Sequence, residues 1–176
     1  EICKTKEESL DKMLADGGNA AWNKLYRKEL FKDITYPEGF LYEDTGATYK
    51  LMFKATRFYF LDQVLYYQNI RPDSITTSKV TQKVLDDRAT QNIQRYRDLT
   101  SWGFRSEMLE YRFLNFALWY CMHQKRDMSN PDYIYLSRAL RSCRQVPQAF
   151  SYKKRYSLWL FRHCPWLIDL LYTRKG

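Results

Sequence analysis

Residues 78–96, SKVTQKVLDDRATQNIQRY, carry a clear structural signal. Most positions in this stretch are polar, and its apolar residues recur at the spacing of one helical face: Val80, Val84, Ala89, Ile93 and Tyr96. Such a period brings the apolar side chains into a single stripe that can pack against a core. The stretch therefore predicts one long amphipathic helix, with which the chain turns from a mixed first half to an all-helical second half.

The same reasoning extends in both directions from this helix. After Gly103 a second helix is marked by Leu109, Phe113, Phe116 and Tyr120. Further helices are predicted over 131–144 and 153–172, the last interrupted at Pro165. Towards the amino end the patterns predict helices over 6–15, 20–31 and 43–55, a turn over 36–39, a strand over 57–68 and a loop over 69–77. The predicted fold is mainly α with a small β component, divided into residues 1–77 and residues 78–176.

Composition limits the class of protein. Hydrophobic residues make up 45% of the 176 residues, so a packed core is expected and extensive disorder is not. The net charge is +1 over residues 1–124 and +8 over residues 125–176. A basic carboxyl-terminal third indicates an anionic partner, which could be nucleic acid, an anionic membrane or phosphate groups.

Several common sites have no support in the sequence. There is no P-loop, no GxGxxG, no HExxH and no GxSxG motif, and no run of 18 apolar residues. We interpret His123 and His163 as packed or surface residues. The four cysteines are scattered and are expected to be reduced thiols, although two disulfides are formally possible. The sequence therefore indicates no metal ligand and no serine or cysteine nucleophile.

Three short blocks follow one another within residues 20–77. Residues 22–27 read WNKLYR, residues 36–39 read YPEG and are followed by Tyr42-Glu43-Asp44, and residues 65–67 read LYY and are followed by RPDSI over 71–75. In this order and at this spacing, the blocks resemble the second half of family 2 glycosyltransferases of the GT-A fold. That family includes bacterial enzymes that build capsular polysaccharides and exopolysaccharides.

The resemblance implies a division of labour along the chain. Residues 1–77 would be the acceptor-side part of the catalytic domain, and residues 78–176 a carboxyl-terminal helical region. The nucleotide-binding βαβ half, with the DxD motif that holds Mg²⁺ or Mn²⁺, would precede Glu1. The substrates would be a nucleotide-sugar donor and a saccharide or lipid-linked acceptor, in the cytoplasm or on the inner face of the membrane. We expect the 176 residues alone to be inactive.

Asp44 is the candidate catalytic residue. Inverting sugar transfer needs a carboxylate that takes the proton of the attacking hydroxyl, and a helix amino terminus can hold such a carboxylate ionised and in position. By resemblance, Asp44 is this general base and Glu43 is its supporting neighbour. On residue types alone, Glu43 and Asp44 could instead do no more than cap a helix.

Two further groups are candidate donor- or acceptor-binding residues. Trp22, Lys24 and Arg27 are expected to share a helical face, with the cations near the donor diphosphate and the indole against a sugar or nucleotide ring. The alternative is a core tryptophan beside solvated charges. Arg71 and Ser74 could contact the acceptor or a phosphate, or belong to an ordinary loop.

The basic tail has its own interpretation. Lys153, Lys154 and Arg155 precede a run of Leu, Trp and Phe, which suits a helix lying in an anionic membrane interface. A helix packed on its own domain with a solvated basic face is the alternative. A nucleic-acid-binding module is a rival class, but no recognised motif supports it and no nucleic acid partner is expected.

Overall fold

The computed structural model describes residues 2–3, 5–15, 18–69, 72 and 79–166. The chain forms two compact units, Glu1–Phe104 and Arg105–Gly176. The prediction of a mainly helical fold with a small β component is confirmed.

The first unit is built around one central helix. Its elements are β1 (Ile2–Cys3), α1 (Lys6–Ala15), a 3-10 helix (Lys28–Phe31), α2 (Glu43–Lys54), β2 (Phe58–Tyr59) and α3 (Gln82–Ser101). The two strands pair antiparallel, with Ile2 opposite Tyr59. Helix α2 contacts both α1 and α3, and its residues Ala47, Tyr49 and Leu51 are fully buried. Asp44, in the first turn of α2, is therefore attached to the core of this unit.

In its described part, residues 105–166, the second unit contains three helices: α4 (Glu107–His123), α5 (Pro131–Ser142) and α6 (Tyr152–His163). Helix α5 contacts both α4 and α6. Its core is apolar, with Leu136, Leu140, Leu158 and Phe161 almost fully buried. Apolar burial of this kind is the main stabilising term in a small helical unit.

Side-chain caps explain where most of the helices begin. Thr5 and Glu8 form a reciprocal capping box at the start of α1, with each side chain accepting from the other residue's amide at 3.1 Å. Thr81, Ser106, Asn130 and Ser151 cap α3, α4, α5 and α6 in the same sense, each accepting from an amide of the first turn. Helix α2 differs, because Tyr42 makes no capping hydrogen bond through its side chain.

Two predicted elements of the first unit are wrong in extent. The predicted helix over 20–31 is an irregular segment that ends in the 3-10 helix, and Leu25 at its centre is fully exposed. The predicted strand over 57–68 is reduced to Phe58–Tyr59, because β1 offers only two residues as a partner. Of the apolar residues that suggested these two elements, Phe58 alone is buried.

The compact units also differ from the predicted division after residue 77. Helix α3 belongs to the first unit, since Val84, Leu85, Ala89 and Ile93 are buried there and α3 contacts α2. The period of these residues predicts an apolar face but not the element that it covers. The long helix that decides the fold thus supports the candidate site and is not part of the second unit.

The end of the chain is described as far as Trp166. Helix α6 ends at His163, two residues before Pro165, and the part of the predicted helix beyond 166 lies outside the described residues. Within the described part of the chain, no helix is long and apolar enough to cross a membrane.

Candidate functional site

Helix α3 holds the segment that leads into α2. Asp87 accepts a hydrogen bond from the Leu41 amide through Oδ2 at 2.8 Å, and Gln91 Nε2 donates to the Leu41 carbonyl at 2.7 Å. Lys83 Nζ donates to the Gly39 carbonyl and to Asp87 Oδ2, both at 2.8 Å. Both backbone polar groups of Leu41 are therefore bonded to one helix, three residues before Asp44.

Asp87 is the centre of this arrangement and is only 8% exposed. Burial by itself raises the pKa of a carboxyl group, because it disfavours the charged form. The hydrogen bond from the Leu41 amide and the Lys83 ammonium group outweigh that effect, so the pKa of Asp87 lies below its ordinary value. The carboxylate is thus stabilised in its ionised form by the segment that it holds.

Tyr42 is the strained residue of the site. Its φ of 59° and ψ of 40° lie in the left-handed region, which a bulky side chain rarely adopts. The Arg88 guanidinium lies 5.1 Å from the centre of the Tyr42 ring, next to the bonds that Asp87 and Gln91 make to Leu41. Strain of this kind costs on the order of 1–3 kcal/mol and persists only where surrounding contacts impose it.

Asp44 lies in the first turn of α2, two residues after the strained Tyr42. Burial of the carboxyl group raises its pKa, and the neighbouring Glu43 raises it further. The amide and hydroxyl of Thr45, with Oγ1 3.5 Å from Asp44 Oδ1, and the charge of Lys24 act in the opposite direction. The net shift is upward, which increases the affinity of Asp44 for a proton.

Lys24 connects the first sequence block to Asp44. Its ammonium group donates to the Ala20 carbonyl at 2.8 Å and to Asn23 Oδ1 at 2.7 Å. Burial lowers the pKa of Lys24, and attraction to Asp44 partly restores it. The cation is thus fixed within electrostatic range of the candidate base.

Trp22 connects the first block to the third. Its ring stacks on that of Tyr66 with centroids 4.6 Å apart, and 48% of the Trp22 side chain remains exposed. Tyr66 covers one side of the indole, so the exposed part is a platform at the surface and Trp22 is not a core residue.

The structure brings together some of the predicted site residues and separates others. The shared helical face predicted for Trp22, Lys24 and Arg27 does not form, because this segment is not helical, and Arg27 is exposed where the 3-10 helix begins. Glu43 is exposed as the first residue of α2. Arg71 and Ser74 lie outside the described residues.

Two tyrosines of the blocks were not singled out from the sequence. Tyr26 packs edge-on against Phe31, which in turn contacts the ring of Tyr36. The hydroxyl oxygens of Tyr26 and Tyr36 are buried close to one another, and that of Tyr26 also lies close to Thr48. Burial, and next the proximity of Tyr36, raises the pKa of Tyr26, and Asp44 adds to the shift. The position of these two tyrosines within the WNKLYR and YPEG blocks is the sequence feature that could have identified them.

Gly46 allows the second block to lie close to α2. A Cβ atom at this position would lie 3.0 Å from Pro37 Cγ and 3.1 Å from Gln91 Oε1. Both distances are shorter than ordinary contacts, so only glycine fits the present arrangement without displacing a neighbour. Glycine costs up to about 1 kcal/mol in a helix interior, and close packing here is the reason for its presence.

The described residues include few candidates for metal binding or for thiol catalysis. No group of three or more His, Cys, Asp or Glu residues that could hold a metal ion occurs among the described residues. Cys121, Cys143 and Cys164 are free thiols, and burial raises the pKa of the Cys121 thiol to about 12. A thiol with such a pKa is not an activated nucleophile.

Comparisons with known proteins add no relative. No family model matches this chain, and neither a curated protein nor a solved structure is significantly similar to it.

Proposed function

We propose that the chain is the acceptor-side part of a family 2 glycosyltransferase of the GT-A fold. The reaction is inverting transfer of a sugar from a nucleotide-sugar donor to a saccharide or lipid-linked acceptor in bacterial cell-envelope polysaccharide synthesis. Asp44 is the general base and Glu43 its neighbour. The proposal rests on the resemblance of three sequence blocks to that family, and one structural observation supports it.

That observation is a pair of interactions that links the three blocks. Lys24 of the first block interacts electrostatically with Asp44 of the second, while Trp22 stacks on Tyr66 of the third. The two interactions join residues 44 and 20 positions apart, so they are tertiary contacts between the blocks. The strained Tyr42 beside Asp44 adds support, because such strain clusters at active sites.

The chemistry assigned to Asp44 is proton abstraction. As the acceptor oxygen attacks the anomeric carbon, its proton passes to the Asp44 carboxylate and the bond from the anomeric carbon to the nucleoside diphosphate breaks. The raised pKa of Asp44 suits this role, since a stronger base gains more from accepting the proton. The charge of Lys24 partly offsets the shift, which favours the ionised form required before attack.

The divalent metal that the resemblance implies does not fit the described residues. They contain no cluster of three potential ligands, so no ligand is assigned among them and the step above is derived without a metal.

A cytoplasmic location, peripheral on the inner face of the membrane, belongs to the same proposal. Residues 125–176 carry a net charge of +8, which favours an anionic surface. A lipid-linked acceptor would be met at that surface. The alternative function is a basic helical interaction module that binds a membrane surface or nucleic acid, and the exposed aromatic side chains of α6 are the observation that favours it.

Asp44→Asn in the protein encoded by the complete gene tests the assignment. Asparagine keeps the size and an acceptor oxygen, so folding should be retained, while loss of a positioned base should lower turnover by about 100- to 10,000-fold. Glu43→Gln is the matched control, with the adjacent exposed carboxylate neutralised, and should be milder. A folded Asp44→Asn protein that keeps most of its turnover would exclude Asp44 as the base.

A further inference from the structure

Helix α6 carries an exposed row of aromatic side chains, which we call the aromatic ridge: Tyr152, Tyr156, Trp159 and His163. Their spacing of three or four residues brings them onto one face of the helix. Tyr152 is 84% exposed, Tyr156 54% and Trp159 51%. The Trp159 ring lies 6.2 Å from that of Tyr156 and 5.2 Å from that of His163, so the ridge is continuous from Tyr156 to His163.

The ridge is not needed for the core of the second unit. Leu158 and Phe161, on the opposite face of α6, are each 1% exposed and pack inside the unit. Helix α6 therefore packs against the core of the second unit through one face. Large aromatic residues on the other face have no structural reason to be exposed, and contiguous exposed apolar surface marks a docking site.

The chemistry of the partner follows from charge. Between Tyr133 and Trp166 the chain contains no acidic residue, but seven basic ones: Arg138, Arg141, Arg144, Lys153, Lys154, Arg155 and Arg162. The ridge thus lies on a helix with no negative charge, next to a second helix that has none after Asp132. A surface of this composition is complementary to an anionic one.

Two cations of the basic run, Lys154 and Arg155, make contacts within the second unit. Arg155 donates to the carbonyls of Phe150, Pro147 and Gln148, and Lys154 lies 5.6 Å from the Tyr111 ring. These side chains brace the unit, although carbonyl partners leave their charge in place. Because the Arg155 and Lys154 side chains contact the second unit itself, the aromatic ridge is the part of α6 whose side chains can enter a membrane interface.

We propose that the aromatic ridge is a membrane-docking surface that inserts into the headgroup region of an anionic phospholipid bilayer. Tyr and Trp prefer this region because it accepts both an apolar ring and a polar edge, and nearby cations attract the lipid charge. Base stacking on nucleic acid is less favoured, because Tyr156 and His163 already flank the Trp159 ring. This inference does not depend on the catalytic assignment of Asp44.

The test uses the whole chain and vesicles of phosphatidylcholine alone or mixed equally with phosphatidylglycerol. Binding should require the anionic lipid and weaken with salt, since exposed charges are screened. Trp159→Ser should weaken binding about three- to tenfold through lost apolar burial. Lys153→Gln should weaken it about fivefold through lost attraction. Tyr67→Ser is the matched control, because Tyr67 is 82% exposed but lies outside α6, and should bind as the wild type does.

Trp159→Phe guards against loss of folding, because it keeps an aromatic ring while removing the fluorophore. It should retain binding and reduce the quenching of protein fluorescence by brominated lipid. Equal binding of the Trp159→Ser and wild-type chains to anionic vesicles would overturn the proposal. So would equal binding to neutral vesicles, competition by a single-stranded oligonucleotide for the ridge, or self-association that the Trp159→Ser change abolishes.

Discussion

Replacing Asp87 by alanine is expected to release the Leu41–Tyr42 segment from α3. The substitution removes the acceptor of the Leu41 amide and the partner of Lys83. A hydrogen bond to a charged group contributes about 1.5–3 kcal/mol, and the half-exposed Lys83 pair adds about 0–1 kcal/mol. The first unit should therefore lose about 1.5–4 kcal/mol of unfolding free energy, with about 2–3 kcal/mol as the central value.

Amide hydrogen exchange at Leu41 measures this effect directly. If the amide exchanges by unfolding of the unit, 2–3 kcal/mol corresponds to an acceleration of about 30- to 150-fold, since roughly 1.4 kcal/mol is a factor of ten. Asp86→Ala is the control on the same helix, because Asp86 is exposed and accepts only from Gln82 Nε2 in the described contacts. It should change stability by no more than about 0.5 kcal/mol.

The pH dependence of folding stability provides a second test of the role of Asp87. The folded-state pKa of Asp87 is depressed, so its contribution is fully present above the unfolded value of about 3.9 and is lost as pH falls through the folded value. The stability difference between the wild type and Asp87→Ala should thus be constant at neutral pH and shrink below about pH 4. Equal Leu41 exchange in the Asp87→Ala and Asp86→Ala variants at neutral pH would refute the role assigned to Asp87.

Two further substitutions test the site. Lys24→Met removes the charge that favours ionised Asp44, so the pKa of Asp44 should rise further. The acidic limb of the pH profile of kcat/KM of the complete enzyme should then move to higher pH. An unchanged acidic limb would contradict the interaction between Lys24 and Asp44. Gly46→Ala should destabilise the first unit by about 1 kcal/mol in urea unfolding, because overpacking against Pro37 and Gln91 exceeds the gain in helix propensity. A stabilised Gly46→Ala variant would show that the Pro37 and Gln91 side chains can move aside for the added methyl group.

Several elements of the fold could be predicted from local sequence. Helix α1 begins and ends at the predicted residues, and α2 begins at Glu43 as expected from its acidic first turn. The polar caps and apolar periods of α3 and α5 are local as well, and both helices start within a few residues of the prediction. Such features depend on neighbours three or four positions away, which is why the sequence alone specifies them.

The irregular segments could not be predicted in the same way. Leu25 and the apolar residues after Tyr59 have the types and spacing of buried elements, yet they are exposed. A helical or alternating pattern identifies a face that could be buried, but burial requires a partner surface. For the predicted strand, only two residues of β1 supply that partner.

The candidate site shows the same division. The sequence by itself determined the acidic start of α2, the aromatic and basic composition of α6, and the blocks that carry Trp22, Lys24 and Asp44. Only the tertiary structure decided that Asp87 and Gln91 hold Leu41 and that the ridge of α6 stays exposed. These contacts join residues about fifty positions apart, or depend on which face of a helix is covered. Neither is encoded in local periodicity, because each is set by the packing of whole elements.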